Sequence, residues 1–319
     1  MRQREFEKRH ESGWRELEAA LRTDGGTVAD LPGRYRQLCQ QFAMASERHY
    51  TSDLQERLNR LVMAAHQRIY RRRPLRRSAW VDYLLGGFPR AVRSQARAVY
   101  LSTALFLLPA LVLGIGCYLN DSLVYTLMEP EQVSLFESMY DPANRVTGRE
   151  RGSDSDLYMF GFYIKNNIGI AFRTFAAGII FGVGAVFILV FNGVYIGATA
   201  GHLTRLGFGG TFYPFVIGHG AFELTAIALA GAAGLCLGQS LIDPGGYPRL
   251  VALRKAASRA MQIMYGTFLM LVLAAFLEAF WSSSQSLPVG LKLATGAALW
   301  ILVLAYLAFA GRGGQHRAT

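Results

Sequence analysis

Apolar and polar positions divide the chain into two regions near residue 98. Up to that point apolar residues recur at helical spacing among many charges, which predicts amphipathic soluble helices. Beyond it lie five apolar segments that span or nearly span a hydrocarbon core of about 30 Å at about 1.5 Å per residue. They are 99–119, 171–202, 211–241, 263–282 and 289–311. The pattern predicts an all-α fold in which a helical domain, residues 1–98, precedes a polytopic membrane domain, residues 99–311.

Three amphipathic helices are predicted within residues 1–78. The first places Phe6, Trp14 and Leu17 near helical spacing, and the third begins at Ser52. Such helices need partners for their apolar faces, so we expect them to form a small helical domain. An arginine-rich run then precedes an aromatic-rich stretch at 78–98, which is typical of a helix lying among lipid headgroups. A solvated basic linker is the alternative interpretation.

The composition fits a membrane protein with one soluble end. Hydrophobic residues are 52% of the 319 and charged residues 17%, which excludes a disordered chain. The net charge of +11 lies beside the apolar segments, where Lys and Arg mark the cytoplasmic side of a membrane. Nucleic acid is therefore not an expected partner. The three cysteines form no CxxC pair, which disfavours a disulfide framework or a zinc site.

Charge assigns most of the chain to a side of the membrane. Residues 1–98 hold 20 Lys and Arg against 11 Asp and Glu, so we expect a cytoplasmic N-terminus. The loop 120–165 holds eight acidic residues against four basic ones, which fits the far side. Residues 242–262 are basic again, with four Lys and Arg against one Asp, and so is the tail 312–319.

The last two basic stretches conflict with a single crossing by segment 211–241, because that crossing would place both outside. If the segment instead enters the membrane and turns back, every basic stretch is cytoplasmic, and we favour this re-entrant form. Gly218, His219 and Gly220 are the expected break, since non-helical backbone at membrane depth is tolerated inside protein or beside a wet cavity. A straight helix that departs from the charge rule is the alternative.

Ionisable and polar side chains in the apolar segments are candidate functional residues because such groups are costly at membrane depth. His219 and Glu223 are four residues apart, so on a continuous helix they share a face. Glu278 lies near the outer end of the fourth segment, and the polar residues around the second are Asn166, Asn167, Arg173 and Asn192. This set either binds an ion, a proton or a lipid headgroup, or consists of polar groups that satisfy one another. No metal or cofactor is predicted, because the HxxxE spacing supplies two ligands and no third is evident.

Small residues recur at four-residue spacing, which lets helix backbones approach closely. The three ladders are Gly178 and Gly182; Gly193, Gly197 and Gly201; and Ala226, Ala230, Gly234 and Gly238. They predict close packing of the second and third apolar segments. A homodimer interface is the alternative use of the same faces.

Several longer stretches form a specific combination. They include LNRLVMAAHQRIYR (58–71), NNIGIAFRTFAAGIIFGVG (166–184), FNGVYIGATAG (191–201), GHGAFELTAIALAGAAGL (218–235) and LEAFWS (277–282). Together they resemble the stage II sporulation protein M (SpoIIM) family in its longer form, which implies a polytopic protein of the bacterial inner membrane. In spore formers the family member anchors two peptidoglycan-degrading proteins during engulfment, and related proteins elsewhere occur near MoxR-type ATPases and RDD-type membrane proteins. This chain differs in its long soluble N-terminus, so a sporulation role does not carry over.

Two functional hypotheses follow. The leading one is a membrane scaffold or assembly factor, whose partners are the lipid bilayer and membrane or envelope proteins. The alternative is a transporter or lipid-handling permease that uses polar residues of a broken third segment, a pattern that transporters share. The sequence has no nucleophile elbow, P-loop, dinucleotide fingerprint or metalloprotease motif, so we do not expect an enzyme. The expected location is the inner membrane, multi-pass, with a cytoplasmic N-terminus.

Overall fold

A computed structural model describes residues 2–22, 30–70, 77–143, 156–284 and 286–312. Across these ranges the secondary structure is helical without strands, which confirms the predicted all-α class. Most of the arginine-rich run, part of the acidic loop and the end of the basic tail lie outside the described residues. The chain divides into two compact units, residues 1–76 and 77–319.

The first unit is a cluster of three amphipathic helices. Their apolar faces meet in one core, in which Phe6 and Leu58 are fully buried and Trp14 and Leu38 are each 2% exposed. Burying an aromatic or leucine side chain of this size stabilises the folded state by about 1.5–3 kcal/mol. The helices are α1 (Gln3–Arg22), α2 (Leu31–Glu47) and α3 (Ser52–Tyr70).

Arg57 joins α3 to α1 by two ion pairs. Its guanidinium donates to Glu11 at 2.8 Å and to Glu18 at 2.9 Å, and it lies 5.6 Å from the Trp14 ring centroid. The hydrogen bonds from Arg57 and then Arg15 hold the pKa of the Glu11 carboxyl below its ordinary value. Partly exposed pairs of this kind contribute about 1 kcal/mol or less each, so the apolar core is the main source of stability in this unit.

The aromatic-rich stretch after residue 77 packs into the second unit. Phe88 is 2% exposed there, and Arg93 donates to two carbonyl oxygens near the end of the last helix, Leu307 at 2.7 Å and Ala310 at 2.6 Å. The boundary between the units therefore lies at 76, earlier than the expected 98, because this stretch finds apolar partners in the helical bundle. Its elements are α4 (Arg77–Asp82), a π-helical turn (Tyr83–Gly87) and α5 (Phe88–Ser94).

Six long helices within the described residues form the rest of the second unit. Together with short connecting helices they are α6 (Ala96–Leu119), α7 (Val124–Leu127), α8 (Pro130–Tyr140), α9 (Asp156–Ala177), α10 (Val183–Arg205), α11 (Gly209–Ile242), α12 (Arg249–Phe276) and α13 (Val289–Phe309). Of the six long helices, five are long and apolar enough to cross a membrane, and α9 is the more polar one. The short helices α7 and α8 lie between α6 and α9, and a π-helical turn (Leu277–Ser282) extends α12.

Segment 171–202 is not one crossing helix, which corrects the sequence interpretation. It holds the end of α9, a tight turn at 178–182 and most of α10. Phe181 and Gly182 have φ angles of 50° and 81°, in the left-handed region that reverses a chain direction. The turn is apolar throughout, so hydropathy does not mark it. α9 therefore adds a traverse of the bundle that the five apolar segments leave out.

The additional passage of α9 through the bundle explains how the basic stretches come to lie at the same end. α6 and α10 run parallel, since Gly197 packs against Ala110 and Arg205 at the end of α10 donates to the Leu119 carbonyl at the end of α6 at 3.2 Å. α9 runs in the opposite direction because a tight turn joins it to α10. The starts of α6 and α12 and the ends of α11 and α13 consequently share one end of the bundle. We call it the basic end, and the end that carries 120–143 the acidic end.

α11 is one continuous helix, so the broken and re-entrant interpretation of segment 211–241 is wrong. Each glycine costs a helix about 1 kcal/mol relative to alanine. Here Gly218, His219 and Gly220 are all buried, and packing by neighbouring helices keeps the helical path. With α9 counted, a single crossing by α11 brings residues 242–262 and Arg312 to the basic end.

The glycine ladders bring helix backbones together at two different places. A Cβ added at Gly193, Gly197 or Gly201 would lie 2.2, 2.1 or 2.1 Å from a carbonyl oxygen of α6, so this ladder packs α10 against α6. The turn at 178–182 meets α11 instead: a Cβ at Gly178 would lie 2.1 Å from the Gly234 oxygen, and one at Gly238 would lie 2.1 Å from the Gly182 nitrogen. Only glycine permits approaches this close.

Candidate functional site

His219, Glu223 and Glu278 form a polar cluster inside the bundle. One ligand atom from each of the three lies within 4.8 Å of the others. His219 and Glu223 face the same way because they are one helical turn apart on α11, and His219 Nε2 lies 3.9 Å from Glu223 Oε2. Glu278 comes from the π-helical turn that extends α12. The side chains of His219 and Glu223 are 7% and 17% exposed.

Ser282 orients the histidine of this cluster. His219 Nδ1 and Ser282 Oγ share a hydrogen bond of 3.0 Å, and Ser282 is 1% exposed. The Lys292 ammonium donates to the Ser282 carbonyl oxygen at 2.8 Å, which brings a positive charge from α13 beside the cluster. Glu278 and Ser282 lie four residues apart at the same π-helical turn, and π-turns recur at functional sites.

Aromatic rings cover the cluster at the acidic end. The His219 ring centroid lies 5.5 Å from that of Phe215, which lies 5.7 Å from that of Tyr140 on α8. The Tyr140 carbonyl oxygen also accepts a hydrogen bond from Thr211 at the start of α11. Burial, followed by the nearby carboxyl group of Glu278, raises the pKa of the Tyr140 phenol above its ordinary value. α8 therefore closes the cluster from outside the bundle.

The other predicted candidates make hydrogen bonds on their own helices. Asn192 donates to the Ile188 carbonyl at 2.7 Å and Arg173 to the Gly169 carbonyl at 3.0 Å, each on its own helix. Asn166 donates to the neighbouring Asn167 at 3.0 Å. Of the seven polar candidates, the structure thus joins three in one cluster, while the other four make hydrogen bonds on their own helices: Asn166, Asn167, Arg173 and Asn192.

Sequence reasoning missed a second histidine–glutamate pair. His202 near the end of α10 lies 2.6 Å from Glu137 on α8, measured between Nε2 and Oε1. The His202 side chain is 5% exposed and that of Glu137 33%. The partners are 65 residues apart in the chain, so no local spacing signals the pair. It fastens α8 to the acidic end of the bundle.

A cleft of about 790 Å³ opens at the basic end between α6, α10, α11 and α12. Its lining combines the basic side chains of Arg97, Lys255 and Arg259 with apolar ones such as Leu101 and Leu235. The Lys255 ammonium lies 3.5 Å from the centroid of the Tyr247 ring. The sequence did not predict this cleft, because its walls come from helices far apart in the chain.

The fold and the polar cluster define a class: polytopic α-helical membrane proteins whose bundle encloses ionisable groups. A family model described as Stage II sporulation protein M matches residues 102–283, more than half of the chain. The chain belongs to this SpoIIM family, which confirms the resemblance. A second model, described as a domain of unknown function (DUF8413), matches residues 4–71, within the first unit. Searches of curated proteins and of solved structures find no match.

The SpoIIM match contains the whole polar cluster. His219, Glu223, Glu278 and Ser282 all lie between residues 102 and 283, whereas Lys292 lies beyond them. The first unit matches a different family model, so the chain combines a SpoIIM membrane unit with a separately recognised helical unit.

Proposed function

We propose that this SpoIIM protein is a non-enzymatic membrane scaffold or assembly factor for envelope and cell-wall-associated proteins. The observation that carries the proposal is a polar face on α9. Lys165 and Asn166 are exposed there, two and three residues beyond Tyr163. Tyr163 packs in a cluster with Ala275 of α12 and Ala279 of the π-helical turn. Charged side chains at this depth are costly against lipid and normally face protein or water. A polar or acidic helix of a partner membrane protein fits this face.

The polar cluster of α11 also favours a scaffold over a transporter. His219 is buried, Asn192 bonds to a carbonyl of its own helix, and α11 has no break. The permease alternative required a broken third apolar segment whose polar residues line a path for the transported molecule. A packed cluster beside separate partner surfaces suits an assembly role better.

Sidedness belongs to the same proposal. We place the protein in the bacterial inner membrane with the basic end and the first unit in the cytoplasm, since Lys and Arg near membrane segments favour that side. The first unit then offers a soluble helical surface to cytoplasmic partners, for which MoxR-type ATPases are candidates by family resemblance. RDD-type membrane proteins are candidates for the α9 face.

Cysteine labelling tests the sidedness. Ser258 on α12 and Ser122 near the acidic end are both exposed. In a background lacking Cys39, Cys117 and Cys236, an impermeant maleimide should label Ser122→Cys in intact spheroplasts and Ser258→Cys only after permeabilisation. Labelling of Ser258→Cys in intact spheroplasts would show that the assignment is reversed.

Affinity purification from native membranes tests the scaffold. The tagged full chain should recover envelope or MoxR-type and RDD-type proteins. Combined Lys165→Leu and Asn166→Leu substitution should lower recovery of the membrane partner by about tenfold, which corresponds to about 1.4 kcal/mol of binding free energy. Removal of the positive charge and the amide leaves the partner's polar helix without its complement.

The matched control for this experiment is Leu157→Ala. Leu157 lies on the same helix and is 75% exposed, so its truncation changes only an exposed apolar side chain. Recovery should be unaffected. Two results would refute the scaffold proposal. One is equal recovery of the partner by the wild type and the Lys165→Leu, Asn166→Leu variant, and the other is recovery of bound lipid with no partner protein.

The cleft at the basic end supports one second candidate, a lipid-handling function. Arg97, Lys255 and Arg259 surround an apolar wall in this cleft, and basic pockets between membrane helices suit anionic headgroups. Under this alternative the purified chain retains anionic phospholipid, and the combined substitution Arg97→Gln and Arg259→Gln releases it while partner proteins play no part.

A further inference from the structure

We propose that His219, Glu223 and Glu278 bind a divalent first-row transition metal ion inside the bundle. The ligands would be one imidazole nitrogen and two carboxylate oxygens, a set that suits Zn²⁺ or Mn²⁺. The sequence supplied only the HxxxE pair on α11. The third ligand, Glu278, comes from the π-helical turn after α12, 55 positions beyond Glu223, and only the folded bundle brings it to the other two.

The spacing of the three groups is close to that of a metal site. A tetrahedral ion with bonds of about 2.1 Å separates its ligand atoms by about 3.4 Å. The three ligand atoms here lie within 4.8 Å of one another, and the His219–Glu223 distance is 3.9 Å. Small side-chain rotations of the two glutamates close these gaps, since carboxylate groups turn freely about their last bond. A water molecule would complete the coordination.

The hydrogen bond at His219 supports this assignment. A metal-bound histidine normally engages its second ring nitrogen with an oxygen acceptor, which fixes the ring orientation. His219 Nδ1 is held by Ser282 Oγ at 3.0 Å, and Nε2 faces Glu223. Lys292 in turn donates to the Ser282 carbonyl. The ring is thus oriented with the nitrogen on the carboxylate side available to an ion.

Charge gives a further reason. Two carboxyl groups lie close together within the bundle, where like charges repel strongly in a low dielectric. One divalent cation neutralises both carboxylates at a single point. Glu278 and Ser282 both lie in the π-helical turn after α12. This one turn therefore supplies the ligand Glu278 and the serine that orients the ligand His219.

Metal binding by the purified full chain is the test. After chelator treatment in detergent, the wild-type protein should take up about one equivalent of Zn²⁺ or Mn²⁺ and gain thermal stability with metal concentration. His219→Gln and Glu278→Gln should each weaken binding by about tenfold or more. His202→Gln is the matched control, because it breaks the other buried histidine–glutamate pair, and it should bind like the wild type.

Three results would overturn the proposal. They are metal uptake by the wild type far below one equivalent, an equal loss of binding in His202→Gln, and unchanged binding in both cluster variants. Pulsed electron paramagnetic resonance of Mn²⁺ on the wild-type chain needs no variant to fold. Nitrogen coupling from one imidazole supports the site, and its absence from bound Mn²⁺ refutes it.

Discussion

Gly197→Ala is expected to destabilise the membrane unit severely. The added Cβ would lie 2.1 Å from the Ala110 carbonyl oxygen and 2.6 Å from the Ala110 Cα, both on the backbone of α6. Backbone atoms cannot move aside like a flexible side chain, so the two helices must separate. Overpacking of this kind costs about 1–3 kcal/mol or more. Thermal unfolding in detergent should show a clear fall in midpoint temperature and loss of monodisperse protein.

Gly161→Ala is the control for this prediction. Gly161 lies on α9, and an added Cβ there meets nothing within 4 Å. Alanine favours a helix over glycine by about 1 kcal/mol, so this variant should be neutral or slightly stabilised. If Gly197→Ala is as stable as Gly161→Ala, the close parallel contact between α6 and α10 is not present in the protein.

Gly266→Ala is expected to expel the Phe88 ring from its buried position. A Cβ at Gly266 on α12 would lie 2.2 Å from Phe88 Cδ2 and Cε2. Phe88 is 2% exposed and also lies 6.2 Å, between ring centroids, from Tyr306 of α13. The clash therefore weakens the attachment of α5 to both helices, with an expected cost of about 1–3 kcal/mol.

The Phe88→Leu substitution makes this prediction specific. Alone it should destabilise the unit, because it removes ring volume from a packed site. Combined with Gly266→Ala it should recover part of the lost stability, since the smaller side chain leaves room for the new methyl group. Thermal unfolding of the two single variants and the double variant forms a cycle whose coupling is expected at about 0.5–3 kcal/mol. Strictly additive losses would contradict the contact.

The position of α9 shows where hydropathy stops being informative. Lys165 and Arg173 lower its apolar character, so it does not register as a crossing segment, and the turn that separates it from α10 is itself apolar. Charge counting showed that the five apolar segments, each crossing once, leave the basic stretches on opposite sides of the membrane. We interpreted this conflict as a re-entrant segment 211–241. Gly218–Gly220 can interrupt a helix, whereas no polar or charged residue marks the turn at 178–182.

The candidate site was predicted in part for a similar reason. His219 and Glu223 share a helical face by spacing alone, and Glu278 was recognised as costly at membrane depth. The three side chains meet because α11 and α12 pack antiparallel and because a π-helical turn follows α12. A local sequence pattern specifies neither feature. Ser282 and Lys292 were not candidates, since a serine or lysine near a loop is ordinary, and Ser282 appeared only as the last residue of LEAFWS.

The sequence by itself determined the class of this protein: a helical unit followed by apolar helices, membership of the SpoIIM family, and the most polar positions within the bundle. These features depend on local periodicity, composition and motifs, which are properties of the sequence and do not require the folded structure. The tertiary structure alone decided how many times the chain traverses the bundle, which ladders touch which helices, and which three polar residues form one cluster. Those outcomes depend on contacts between residues distant in the chain, where close backbone packing selects one arrangement among many that the pattern allows.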